Sequence, residues 1–236
     1  MNGIGIDGCK AGWVVWYVKD GVPNCKIVPF LNDVLNVLES GTAMIDIPIG
    51  FSDPNTPDRL CDKAARKFLS PTRSASVFPV PCHEACDAET YEQACEINFS
   101  VLGKKISKQT WFILPKVREV ESVLASNPSL TIRESHPEVV FAALNGAPLE
   151  FGKKTKEGQS ERLALIRLLE PKWGAVLDSQ LQQTPSKLAN KDDVIDAFVL
   201  MLIAAEASAL STLPSSPDTD PSGRVREIVY LDKCLR

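Results

Sequence analysis

Apolar and polar positions alternate in short runs at the start of the chain. These runs predict three strands, at 3–8, 12–19 and 25–30. The pair Asp20-Gly21 is a strong hairpin signal between the second and third strands. Apolar positions at helical spacing over 34–38 predict a helix, and the continuous apolar run 43–49, interrupted only by Asp46, predicts a buried strand. The chain therefore begins with an antiparallel meander, a helix and a fourth strand.

Helical spacing dominates the remainder of the chain. Helices are predicted at 56–69, 87–102, 108–126, 137–144, 160–169 and 192–210, and strands at 130–134 and 225–231. Residues 55–127 are then a helical insertion between the fourth and fifth strands. The segment 211–223 is rich in Ser, Thr, Pro and Asp and is predicted to be a flexible loop. The order predicts one α/β domain over 1–236, with a mixed sheet of meander and parallel strands flanked by helices.

Composition narrows the class of protein. The 236 residues are 44% hydrophobic and 24% charged, with a net charge of −4, so a uniformly basic nucleic-acid coat is excluded. The most apolar stretch, 194–205, is shorter than the roughly 20 residues of a membrane span. The seven cysteines are irregularly spaced, and those at 82–86 fit no zinc pattern. Free thiols in a reducing cytoplasm are expected.

Carboxylates interrupt apolar elements at five informative positions. Asp7 ends the first strand, Asp46 lies in the fourth, and Glu134 ends the fifth. Asp193 and Asp196 are one turn apart on an apolar helix. A buried carboxylate is costly unless it is paired, hydrogen-bonded or bound to metal. If the strands lie side by side, the acids converge and suit Mg²⁺ or Mn²⁺, which promote phosphodiester hydrolysis.

Each acid also has a structural interpretation. Asp7 before a glycine is typical of a turn, and Asp46 could accept N–H groups from the following loop. Asp192 is typical of a helix N-cap, and Asp193 of a first-turn acid that complements the helix dipole. Glu134 could pair with the adjacent arginine or with a lysine. The set as a whole favours a metal site.

Several motifs resemble one uncharacterised family of bacteria and archaea, the domain-of-unknown-function family 429, whose members are described as predicted nucleases with a ribonuclease H-like fold. The matching stretches are 5–13, 45–50, 73–79, 106–109, 115–116, 134–139, 144–146, 153–155 and 192–197. The resemblance implies a ribonuclease H-like sheet. It also implies metal ligands at Asp7, Asp46 and the pair Asp193 and Asp196. The resolvase-type acid of the first helix has no match, so Glu134 is expected to replace it as a ligand or base.

Basic residues are the second part of the predicted site. Residues 104–118 hold five basic side chains and no acid. Lys108 and Lys116, which lie in family-like motifs, are expected with Arg73 to bind phosphate, although Arg73 could instead form a structural salt bridge. The lysines of 153–156 are expected to lie in a solvated loop. His136 is expected to cap a helix.

Three aromatic residues have two possible roles, base stacking and core packing. Trp13, Trp111 and Phe112 could stack bases, but their apolar periodicity makes core packing the expectation. The leading hypothesis is a cytoplasmic metal-dependent nuclease acting on DNA or RNA. The alternatives are a non-catalytic nucleic-acid or nucleotide-binding protein and a phosphotransferase of the actin and sugar-kinase type.

Overall fold

A mixed five-stranded sheet forms the centre of the computed structural model, which describes residues 3–206 and 209–235. The strands are β1 (Gly3–Cys9), β2 (Gly12–Lys19), β3 (Val22–Val28), β4 (Thr42–Ile45) and β5 (Thr131–Glu134). Their order across the sheet is β3-β2-β1-β4-β5. The first three pair antiparallel, whereas β4 runs parallel to both β1 and β5. The predicted α/β architecture with a meander and parallel strands is confirmed.

Helices cover both faces of this sheet. They are α1 (Leu35–Leu38), α2 (Leu60–Phe68), α3 (His83–Cys86), α4 (Tyr91–Leu102), α5 (Lys108–Ser126), α6 (Pro137–Asn145), α7 (Lys156–Leu169), α8 (Gly174–Gln183) and α9 (Lys191–Ala204). Short 3₁₀ turns occur at Leu31–Val34, Ser74–Ser76 and Pro171–Trp173. Helices α2 to α5 all lie between β4 and β5. Within the described residues, no helix combines the length and apolarity needed to cross a bilayer.

The segment predicted as a flexible loop at 211–223 is instead mostly strand. Residues Leu210–Thr219 form β6, which pairs antiparallel with β7 (Val225–Leu231) in a separate two-stranded sheet. Arg226 anchors this ribbon through ion pairs with Asp218 and Asp53. Every residue of β6 is partly or fully exposed, and polar residues are therefore tolerated along it, as they are in a loop. Prolines are tolerated because a two-stranded ribbon consists of edge strands.

The two faces of the central sheet pack into different cores. Because side chains alternate along a strand, Ile4 and Ile6 of β1 enter one core, together with residues of α5. The opposite face carries Met44 of β4 against α9. Gly3, Gly5 and Asp7 of β1 share this second face.

Gly5 allows the backbone of α9 to lie directly on β1. A Cβ atom added at Gly5 would be 2.0 Å from the carbonyl oxygen of Ala197 and 2.2 Å from the amide nitrogen of Met201. Any side chain there would push the helix away from the strand. Asp7 lies on the same face of β1 as Gly5. Because α9 packs closely on that face, Asp7 lies beside the first turns of α9.

Candidate metal centre

Three carboxylates meet where β1, β4 and α9 come together. One oxygen each from Asp7, Asp46 and Asp196 lies within 4.8 Å of the other two. The amide of Asp46 donates to the carbonyl of Ile6 at 3.0 Å, which continues the parallel pairing and sets Asp46 beside Asp7. Asp196 is added by the close packing of α9 on Gly5. We refer to these three aspartates as the carboxylate centre.

Lys153 enters the carboxylate centre from the loop before α7. Its Nζ lies 2.8 Å from Asp196 Oδ2 and 3.9 Å from Asp192 Oδ2. The charge of Asp196, foremost, raises the pKa of Lys153 above its ordinary value, with Asp7 and Asp46 adding to the effect. The expectation of a solvated loop lysine is therefore wrong for Lys153. No local pattern could reveal this contact, because its partner is 43 residues away along the chain.

The carboxylate centre carries more negative charge than its own cation balances. Three carboxylates face one ammonium group. Burial, followed by the charge of Asp46, raises the pKa of Asp7 well above its ordinary value. Burial also raises the pKa of Asp46, while His136 and Lys153 oppose the rise. Both shifts arise foremost from burial, which disfavours the charged form, and neighbouring carboxylates add to them.

One oxygen of the carboxylate centre lacks a partner. Asp196 is 1% exposed, and its Oδ1 is buried without a hydrogen bond to any described residue. Such an oxygen is available to coordinate a cation or to accept a hydrogen bond from an ordered water. Hard oxygen donors with excess negative charge are the donor set that Mg²⁺ and Mn²⁺ prefer. The residues present therefore fit a divalent cation.

Glu134 does not belong to the carboxylate centre. It pairs with Ile45 across β4 and β5, one residue before the level of Asp46, and so points to the opposite face of the sheet. Both of its oxygens accept hydrogen bonds from Arg59, at 2.8 and 2.7 Å, and Oε2 also accepts from the amide of Ile49 at 2.7 Å. Arg59 is 1% exposed. Among the described residues, Glu134 thus pairs with a distant arginine, and not with the adjacent Arg133, which pairs with Glu227, or with a lysine.

Asp193 has a capping role. It is the third residue of α9, and its Oδ2 accepts from the amide of Asn190 at 2.7 Å in a capping box. Burial raises the pKa of Asp193. Although it lies one turn from Asp196, it is outside the group of three carboxylates that the described residues form. Asp193 stabilises the start of the helix that carries Asp196.

A cavity of about 600 Å³ opens beside the carboxylate centre. All three aspartates line it, together with Lys153 and Glu134. Its other lining residues include Arg73, Lys116, His136, Glu138, Phe78 and Phe112. Much of one wall therefore comes from the segment between β4 and β5. The cavity joins an acidic centre to basic and aromatic side chains.

Two of the three predicted phosphate-binding residues line this cavity. Arg73 donates to the carbonyl oxygens of Leu149 and Glu150, at 3.0 and 2.6 Å, and forms no ion pair within the described part of the chain. Lys116 donates to the carbonyl of Gly12, and burial lowers its pKa. Lys108 is not a lining residue: it is exposed, and its ammonium lies 3.5 Å from the centre of the Tyr91 ring.

The aromatic residues divide between core and surface. Trp13 is fully buried, as expected, and its Nε1 donates to Glu119 at 3.0 Å. The expectation of core packing is wrong for Phe112, which is 74% exposed. His136 precedes α6 but forms no side-chain cap. Its Nδ1 is buried without a partner among the described residues.

The fold and the site together define an α/β protein with a buried carboxylate centre at the carboxyl ends of its parallel strands β1 and β4. The family model "Protein of unknown function (DUF429)" matches residues 5–220. The chain therefore belongs to that family, and the predicted resemblance is confirmed. The matched range contains all three aspartates of the centre, Lys153 and the other cavity-lining residues named above. Neither a search of curated proteins nor a search of solved structures found a match.

Proposed function

We propose that this protein is a divalent-cation-dependent phosphodiester hydrolase with a ribonuclease H-like core that acts on nucleic acid in the cytoplasm. The observation that carries the proposal is the carboxylate centre, in which three aspartate oxygens lie within 4.8 Å and one buried oxygen lacks a partner. Six cysteines are free thiols, in keeping with a reducing compartment: Cys9, Cys25, Cys61, Cys82, Cys86 and Cys95.

Asp7, Asp46 and Asp196 would hold Mg²⁺ or Mn²⁺. When bound, such an ion supplies Lewis-acid polarisation of a phosphoryl oxygen and a lower pKa for water. The charge of the three carboxylates attracts the cation, and their burial limits competition from bulk water. Lys153 balances part of this charge in the metal-free protein, so Lys153 and the cation compete for the same carboxylates.

Basic residues on the cavity walls bind the phosphate in this proposal. The guanidinium of Arg73 is held by two backbone carbonyls and not by a carboxylate, so its charge remains available to a phosphate. Lys116 lies beside Gly8, the residue that follows Asp7, and both line the cavity. A phosphate placed between these cations lies next to the carboxylate centre.

Glu134 acts as a positioning residue in this mechanism. Together with Arg59 it fixes the segment that follows Asp46, because Arg59 also donates to the carbonyls of Ile49 and Gly50, at 3.0 and 3.2 Å. A base must have a free lone pair near the reacting atoms. The oxygens of Glu134 are instead engaged by Arg59 and the Ile49 amide.

Calorimetric titration with Mn²⁺ tests the proposal, with Asp196→Asn as the variant. The change keeps the size of the side chain and removes a ligand charge. Asp178→Asn is the matched control, since the Asp178 side chain is 42% exposed and lies outside the cavity. We expect Asp196→Asn to bind Mn²⁺ at least about tenfold more weakly, while the control binds like the unmodified protein.

Hydrolysis is measured in parallel with labelled single-stranded and duplex DNA and RNA. Cleavage that requires the cation and is lost in Asp196→Asn supports the proposal. Failure to bind Mn²⁺, or equal affinity in a correctly folded Asp196→Asn protein, would overturn it. Tight nucleic-acid binding without any cleavage would favour the non-catalytic alternative.

A further inference from the structure

Two exposed aromatic rings line the same cavity as the carboxylate centre. Phe112 is 74% exposed and Phe78 is 37% exposed. Phe112 lies two residues from both Thr110 and Leu114, which are buried, and therefore on the outward side of α5. Single exposed apolar residues are common. What sets these rings apart is that they share a concave site with a cluster of charged groups.

Helix α5 connects the Phe112 ring to the carboxylate centre. Lys116 follows Phe112 by four residues, so the two lie on one helix face about 6 Å apart along the axis. The side chain of Lys116 lies against Gly8, where an added Cβ atom would be 2.8 Å from Lys116 Cδ. Along this face of α5 the aromatic ring of Phe112 is followed by the ammonium-bearing side chain of Lys116. Lys116 in turn contacts the end of β1, the strand that carries Asp7.

A nucleotide carries groups that match this arrangement of an aromatic ring and a cation. Its base offers an aromatic face, and its phosphate, one sugar away, carries negative charge. Proteins that bind single strands combine aromatic stacking with a basic channel in the same way. The volume of about 600 Å³ lies within the range of small-ligand pockets, roughly 300–1,000 Å³. A base that stacks on a protein side chain must be free of its base-pairing partner and of its neighbours in the strand, and single strands offer such bases most readily.

We propose that Phe112 stacks one unpaired base next to the carboxylate centre, so that single-stranded nucleic acid is the substrate class. The proposal deepens the proposed function and rests on it for the chemistry at the phosphate. Phe78 completes the apolar wall around the base, and Lys116 and Arg73 bind the adjoining phosphate.

Fluorescence anisotropy with a short labelled oligonucleotide tests this binding mode. The variants are Phe112→Ala, Phe112→Trp and the control Phe99→Ala, which removes another exposed ring, 57% exposed, that lies outside the cavity. Base stacking is worth about 1–3 kcal/mol, so Phe112→Ala should weaken single-strand binding about 5- to 150-fold. Phe112→Trp should retain binding, and Phe99→Ala should leave it unchanged. Oligodeoxynucleotide and oligoribonucleotide probes distinguish DNA from RNA.

Two results would overturn the stacking proposal. One is equal single-strand affinity in Phe112→Ala and Phe99→Ala, and the other is duplex binding as tight as single-strand binding. Calorimetry with Mn²⁺ separates this failure from failure of the hydrolase proposal, because Phe112→Ala leaves all three aspartates in place. Loss of strand binding with unchanged Mn²⁺ affinity supports stacking even if no cleavage occurs.

Discussion

Replacing Lys153 with methionine removes the internal cation of the carboxylate centre and keeps most of the aliphatic length. Loss of one partner of a fully buried ion pair costs about 3–5 kcal/mol. The side chain of Lys153 remains 35% exposed, so solvent screens part of this interaction. We expect Lys153→Met to lower the free energy of unfolding of the metal-free protein by about 2 kcal/mol. For a chain of this size the melting temperature should fall by about 4–8 °C.

The same substitution should strengthen divalent-cation binding. An ammonium and a cation about 5 Å apart repel by about 3 kcal/mol per unit charge at an effective dielectric constant near 20. For a divalent cation the repulsion is about twice this value, so even with three quarters of it lost to solvent screening, removal of the ammonium should raise cation affinity at least about tenfold. A cation at about 100 times its dissociation constant adds about 2.7 kcal/mol of stability. Saturating Mg²⁺ should therefore restore most of the stability that Lys153→Met loses.

Thermal unfolding in chelator and in a Mg²⁺ series measures both effects. Lys154→Met is the matched control, because Lys154 is adjacent in sequence and exposed. The control should melt like the unmodified protein under both conditions. If Lys153→Met melts like the control in chelator and gains no additional stabilisation from Mg²⁺, Lys153 does not compete with the cation.

Three further predictions concern the buried acids. Burial raises the pKa values of Asp7 and Asp46 above their ordinary value of 3.8, so the folded protein holds these protons more tightly than the unfolded chain. Their contribution to metal-free stability is therefore present below about pH 4 and is lost as the pH rises through the folded-state pKa values. Asp7→Asn should flatten this part of the pH dependence in urea unfolding, and an unchanged profile would refute the assignment. Protons also compete with the cation, so Mn²⁺ affinity measured by calorimetry should fall as the pH is lowered. Glu134→Gln should lower the free energy of unfolding by about 1.5–3 kcal/mol, because the buried Arg59 loses one of its two charged partners and keeps the other, Asp62. Arg167→Ala, which breaks an exposed pair, should cost less than about 1 kcal/mol in the same urea titration, and equal losses would contradict this reasoning.

Local patterns were sufficient for many of the elements. The predicted helix 108–126 has the bounds of α5, since Ser107 caps it by accepting from the amide of Thr110. Pro115 lies inside this helix without ending it. The predicted last strand, 225–231, coincides with β7. Periodicity and caps are properties of neighbouring residues, and they can be recognised without knowledge of the fold.

Part of the candidate site was also visible in the chain. Asp7 and Asp46 interrupt apolar strands, and parallel pairing brings such strand ends together. The pattern Gly3, Gly5, Asp7 carries a further signal in the sequence. Three alternate positions without large apolar side chains indicate a strand face on which a helix backbone can lie, with a carboxylate at its end.

Tertiary structure alone decided the rest of the site. Glu134 differs from a carboxylate of the centre by one residue of strand register, and that single step turns it to the opposite face of the sheet. Lys153 contacts Asp196, and Phe112 lines the cavity, only because segments that are distant along the chain pack together. The sequence by itself determined where strands, helices and strand-end acids occur, because short-range periodicity and capping specify them. Register and long-range packing determined which of those acids share a site, because they depend on the whole chain at once.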